Sequence, residues 1–139
     1  MSVEPLSFYY DKKSPLYKRT DVVINNNPGN IIIETYASSP IYNYNNVIIG
    51  HRNCKLTSEQ IGENQYEHIE LDTFNITDQG SITIIYSAIN DSSKNIYPLD
   101  KQAATNIVST TGKYFGLKGT GTVFTKSNGE RYVNISFFV

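Results

Sequence analysis

The chain has 139 residues, enough for one domain with one core. Twelve basic and 13 acidic side chains leave a net charge of −1, which excludes the strongly basic face expected of a nucleic-acid binder. A single cysteine, Cys54, excludes an internal disulfide, and no apolar run nears the roughly 20 residues that a membrane-spanning helix needs.

The first 30 residues stand apart. "MSVEPLSFYYDKKSPLYKRT" lacks the apolar stretch of a secretory signal, so an intracellular, cytoplasmic setting is the expectation. Phe8, Tyr9, Tyr10, Leu16 and Tyr17 make this segment too apolar for a plain disordered tail. "INNNPGN" (Ile24–Asn30) reads as a hinge. Residues 1–30 are therefore expected to form an arm and hinge, docked on a neighbouring subunit or packed on the chain's own fold, with the main domain over 31–139.

From there on, β-branched and aromatic residues fill short segments between turn signals, and no long stretch has a 3.6-residue apolar period. This predicts an all-β domain. Strands are expected over Ile31–Tyr36, Tyr42–Gly50, Asn53–Thr57, Tyr66–Asn75, Gly80–Ala88, Ala104–Ser109, Gly119–Thr125 and Arg131–Phe138. "TDQGS" (Thr77–Ser81) and "KSNGER" (Lys126–Arg131) read as hairpin turns, the second with Asn128-Gly129 at its tip. "DKQAATN" (Asp100–Asn106) is the one candidate for a helical turn. In "QYEHIELDTF", Ile69, Leu71 and Thr73 oppose His68, Glu70, Asp72 and Phe74. The polar set is expected on a solvated outer face, since three residues spaced by two along a strand rarely converge on a metal. Strands such as "IIIETY" and "SITIIYSA" are apolar on both faces, which predicts burial of the second face in a homo-oligomer.

Four glycines crowd "TTGKYFGLKGTGTV" (Thr110–Val123). A phosphate loop needs Gly-Lys-Ser/Thr, but Gly112-Lys113 is followed by Tyr114. A dinucleotide fingerprint needs a helix after its glycines, but Gly119-Thr120-Gly121 leads into the strand-like "TVFTK". Gly112, Gly116, Gly119 and Gly121 are thus read as architectural, and neither a nucleotide cofactor nor a metal is expected.

The segment "STTGKYFGLKGTGTV" resembles the glycine signature of the allene oxide cyclase and dirigent barrel superfamily, with Thr111, Gly112, Tyr114, Gly116 and Gly119 at matching positions and Thr110 replacing the first glycine. "FNITDQGSITIIYSA" resembles the hairpin that precedes it in that family. "VIIGHRNCKLT" resembles an early hairpin carrying a glycine and a cysteine, here Gly50 and Cys54. The resemblance spans residues 31–139. It implies an eight-stranded antiparallel, calycin-type β-barrel, often trimeric, with an apolar cavity. By position Glu34 matches the pocket glutamate of the cyclases, and Tyr36 stands where an asparagine is expected. The dirigent branch implies acidic and basic pocket groups, for which Glu70 or Asp72 is available. The pocket candidates are Glu34, Tyr36, Cys54, Phe74 and Tyr86. The leading functional expectation is a binding module for a small apolar ligand. The alternatives are a cyclase or stereo-directing protein acting on a lipid-derived or phenolic substrate, and a structural subunit using the barrel as a building block.

Overall fold

The computed structural model describes residues 4–91 and 96–138. Nine strands follow in order: β1 (Leu6–Asp11), β2 (Lys18–Asn27), β3 (Asn30–Tyr42), β4 (Ile48–Gly62), β5 (Gln65–Ile76), β6 (Gly80–Asn90), β7 (Gln102–Thr110), β8 (Gly119–Thr125) and β9 (Glu130–Phe137). A 3-10 turn at Gly112–Tyr114 links β7 to β8. Neighbours run β1-β9-β8-β7-β6-β5-β4-β3-β2, all antiparallel, and a Tyr9–Tyr42 pair joins β1 back to β3. Eight strands therefore close into a barrel, and β2 lies outside the ring along the edge of β3. The eight-stranded antiparallel barrel expected from the sequence is the observed architecture.

Turn chemistry explains the connectivity. Asp78 and Gly129 carry positive φ in the β5–β6 and β8–β9 turns, at the two hairpins read from the sequence. The β8–β9 turn is closed by the Lys126 amide donating to the Glu130 carbonyl at 2.9 Å. Of the four signature glycines, Gly112 opens the 3-10 turn and Gly116 follows it, with φ of 65° and 79°. Nothing crowds Gly116, so only its backbone conformation demands glycine. Gly119 differs: a Cβ there would run into the carbonyl of Ser136 on β9. Gly121 faces inward on β8 against Thr105.

Several boundaries differ from expectation. Residues 1–30 are not one arm. Strand β1 pairs with β9 from Leu6 to Asp11, and Phe8 and Tyr10 are fully buried. The division at residue 30 falls in the β2–β3 turn. What stands out from the ring is β2, nearly all of it exposed. The segment Tyr42–Gly50 is not one strand: β3 runs on to Tyr42, and Asn43 ends it. The Asn43 amide donates to Val47, and its side-chain oxygen accepts from the Asn45 and Val47 amides. The segment Asp100–Asn106 makes no helical turn, because Gln102–Thr110 pairs with both β6 and β8.

The barrel interior has two unlike halves. One half is apolar: Phe8, Ile41, Phe74, Ile82, Val133 and Ile135 are fully buried. The Phe8 and Phe74 rings meet edge to face at 4.8 Å, and Tyr114 from the 3-10 turn stacks on Phe137 at 5.8 Å. Each such side chain contributes about 1.5–3 kcal/mol of burial energy. The other half is polar and charged.

Candidate functional site

Strict alternation along three strands builds the polar half. On β4, Arg52, Cys54, Leu56 and Ser58 point inward; on β5, His68, Glu70, Asp72 and Phe74 do; on β9, Arg131 does. The β5 set therefore faces the interior, and Ile69 and Leu71 face outward, the reverse of the expected orientation. Phe74 fixes the parity. It anchors the apolar half, so every second residue before it must also point in.

Arg52 is the hub. Its Nε donates to Asp72 Oδ1 at 2.7 Å, its Nη2 lies 3.8 Å from Glu70 Oε1, and its guanidinium sits 4.1 Å from the Tyr10 ring centre. Arg131 Nη1 donates to the Tyr10 hydroxyl at 3.3 Å. The Cys54 thiol contacts Glu70 Oε1 at 3.3 Å. A further phenol comes from the β6–β7 connection. Tyr97 stacks on Tyr86 at 4.5 Å, lies 4.9 Å from the Arg131 guanidinium, and donates its hydroxyl to Asp72 Oδ2 at 3.3 Å. Near the same mouth, His68 Nδ1 meets Ser58 Oγ at 2.8 Å and its Nε2 meets Asn90 Oδ1 at 2.9 Å.

Three buried polar atoms in this network have no protein partner: Arg52 Nη1, Glu70 Oε2 and Arg131 Nε. All three residues line a cavity of about 20 Å³, together with Lys12, Arg19 and Ile96. That space holds about one water.

Burial acts on the two carboxyls at the centre of the network, beginning with Asp72. It pushes the Asp72 carboxyl up to about 7, helped by the charge of Glu70 and opposed by Arg52. Burial also pushes Glu70 up, but Arg52 and a hydrogen bond from Asp72 outweigh it and hold that carboxyl below its ordinary value. The two carboxyls therefore share one proton near neutrality. Burial raises the Cys54 thiol far above its ordinary value and raises the Tyr10 and Tyr97 phenols as well. Lys12, at the mouth, is lowered to about 8 by burial and by the charges of Arg131, Arg19 and Arg52.

Cys54, Glu70 and Asp72 offer three donor atoms within 4.8 Å of one another. Their chemistry suits a proton better than a metal. Arg52 already occupies Asp72 Oδ1 at 2.7 Å, so a metal there would meet a buried cation.

The pocket candidates divide. Cys54, Phe74 and Tyr86 point into the barrel, Phe74 in its apolar half and Tyr86 against Tyr97. Glu34 and Tyr36 do not. Thr35 and Ala37 hold the inward parity of β3, so these two lie on the outer face, where the Tyr36 hydroxyl donates to Glu34 Oε2 at 2.7 Å and Lys55 lies 3.9 Å away. Lys12, Arg52, Tyr97 and Arg131 are the site residues that the sequence reading does not single out, and Tyr10 is read only within the apolar N-terminal segment.

No protein-family model matches the chain, and no curated protein matches it. Solved structures do. A pyocyanin demethylase superposes with a TM-score of 0.67 at 12% identity, over 97% of this chain and 100% of that one. A pterocarpan synthase dirigent protein superposes with a TM-score of 0.57 at 16% identity, over 97% of this chain and 87% of that one. The shared feature is the allene oxide cyclase/dirigent-like barrel fold.

Proposed function

We propose that this chain is a small-molecule-binding barrel whose site is the polar half of the interior, around Arg52, Glu70, Asp72 and Arg131. The observation that carries the reading is the set of buried, unpartnered atoms Arg52 Nη1, Glu70 Oε2 and Arg131 Nε around one cavity. Leaving such a group unsatisfied costs about 1–3 kcal/mol, more when it is charged. A barrel serving only as a brick gains nothing from them, and its apolar half shows that the same fold packs without them. The expected site was an apolar cavity. The apolar half is instead packed with side chains, and the polar half offers recognition chemistry. The contacts of Tyr97 support this reading: a flat ring lies between Tyr86 and Arg131 with its hydroxyl on Asp72. A ligand with a ring and a polar edge fits there once Ile96 and Tyr97 withdraw.

One observation favours a second reading, a cyclase or stereo-directing protein for a phenolic or lipid-derived substrate. Asp72 holds a proton near neutrality and already contacts a phenol oxygen, so it is placed to give or take a proton there. The fold it shares with a demethylase and a dirigent protein is compatible with either reading.

The test is a nuclear magnetic resonance titration of the ¹⁵N-labelled chain with one-ring aromatics, namely phenol, benzoate, 4-hydroxybenzoate and indole. Saturable shifts at the amides of Arg52, Glu70, Asp72, Tyr97 and Arg131 are expected for at least one probe. Shifts confined to the outer face, or none that saturates, would refute the site.

A further inference from the structure

We propose that the ligand of this site carries a small oxyanion, such as a carboxylate, held by Arg52 and Arg131 with Lys12 closing over it. This rests on the binding role proposed above and names the chemistry of what is bound.

Charge around the cavity is one-sided. Lys12, Arg19, Arg52 and Arg131 line it, against the single carboxylate of Glu70. Asp72 lies behind, already engaged by Arg52 Nε and the Tyr97 hydroxyl. Arg52 is 1% exposed and Arg131 4%, yet each keeps a free N–H donor. Guanidinium donors without a protein acceptor suit a planar oxyanion, the partner that satisfies both charge and geometry. An amide or ketone would meet the hydrogen bonds and leave the charge. Glu70 Oε2 is also free and accepts only, so it selects a donor on the ligand, a hydroxyl or N–H near the anionic group. The class is therefore a small acid with a neighbouring donor, and the slot now filled by Tyr97 suits a ring as its body.

Lys12 makes the recognition sensitive to pH. The groups facing it are Arg19 on β2, Arg52 on β4, Glu70 on β5 and Arg131 on β9. The three cations and burial lower its amine to about 8, and Glu70 opposes them. An oxyanion bound beside the amine favours its charged form, so affinity is full below that value and declines above it.

Calorimetry with matched acid and amide pairs tests this: benzoate against benzamide, and 2-hydroxybenzoate, which carries the neighbouring donor, against 2-hydroxybenzamide. At pH 7 the acid of at least one pair should bind about tenfold or more tightly than its amide. That preference should shrink by about threefold or more near pH 9.5, and likewise in Lys12→Gln at pH 7. Inorganic phosphate as a competitor ranks oxyanion types: displacement of the acid extends the site to tetrahedral anions, and lack of displacement restricts it to carboxylates. Equal affinity of acid and amide overturns the oxyanion and leaves the binding role standing. Binding by neither member of either pair overturns the oxyanion, and the resonance titration decides the binding role separately.

Discussion

Arg52→Met isolates the centre of the polar half. Methionine keeps most of the buried stem, so the loss is the charge and its donors rather than volume. Two carboxyls then stay in the interior without their main counter-ion, Asp72 having lost a 2.7 Å ion pair and Glu70 a cation 3.8 Å away. Removing one partner of a buried pair costs about 3–5 kcal/mol. A domain of this kind holds about 5–15 kcal/mol in all, so the variant should be folded but fragile. The loss also depends on pH. Arg52 pulls both carboxyls down, so without it Asp72 rises further above its unfolded value and Glu70 loses the pull that held it below its own. Stability tied to a raised carboxyl is present below the unfolded pKa and is lost as pH climbs through the folded one. The gap between wild type and variant should therefore be largest near pH 8 and close substantially by pH 5. Urea unfolding followed by circular dichroism measures it, provided that the denaturant slope is unchanged. A loss below about 1 kcal/mol at pH 8, or an equal gap at both pH values, would refute the account of Arg52 as the hub.

Wild-type stability should itself fall between pH 5 and pH 8, because the Asp72 carboxyl is raised to about 7; Asp72→Asn should flatten that slope in the same urea series, and an unchanged slope would clear Asp72 of the effect. Gly119→Val should lower stability by about 2 kcal/mol or more through its clash with Ser136, whereas Gly116→Ala should cost about 1 kcal/mol through its positive φ alone; equal costs in thermal melts would contradict the two mechanisms. Ile69 and Leu71 are 41% and 37% exposed on the outer face, so the full chain is expected to self-associate at micromolar concentration. Light scattering should show Leu71→Lys shifted toward monomer, and a monomeric wild type would remove the assembly.

The barrel was legible because turn residues and short alternating runs announce themselves locally. Asn128-Gly129 and the Thr77–Ser81 turn mark two hairpins that the structure contains. Strand β1 was missed although "LSFYYD" alternates, because its partner β9 is more than a hundred residues away and no local signal reports that pairing. The orientation of β5 was misread for another reason. Polar residues are ordinarily placed toward water, and here His68, Glu70 and Asp72 are compensated by Ser58 and Arg52 on the neighbouring strand β4 and by Tyr97 from the β6–β7 connection. That compensation depends on register: Asp72 pairs with Cys54, one step from Arg52's own partner Phe74, which a single strand does not reveal. Phe74, sharing a face with the three polar residues, was the clue available. The place of Tyr97 had no such clue, since it enters from a connection rather than a strand.

The seam of the barrel sets the order in which it can be made. Its closing strands are the first and the last in the ring: β1 pairs with β9 along its length, and Ser7 bonds Asn134 across 127 positions of sequence. Every other ring contact between β3 and β9 is between consecutive strands, and these can zip as hairpins while the chain grows. Strand β1 can touch β3 through Tyr9 and Tyr42, but its full ladder cannot form until β9 has been made. Until then Phe8 and Tyr10 have no interior to enter, and Arg131 and Tyr10 cannot meet. Ring closure and completion of the polar half are one event, and it comes last.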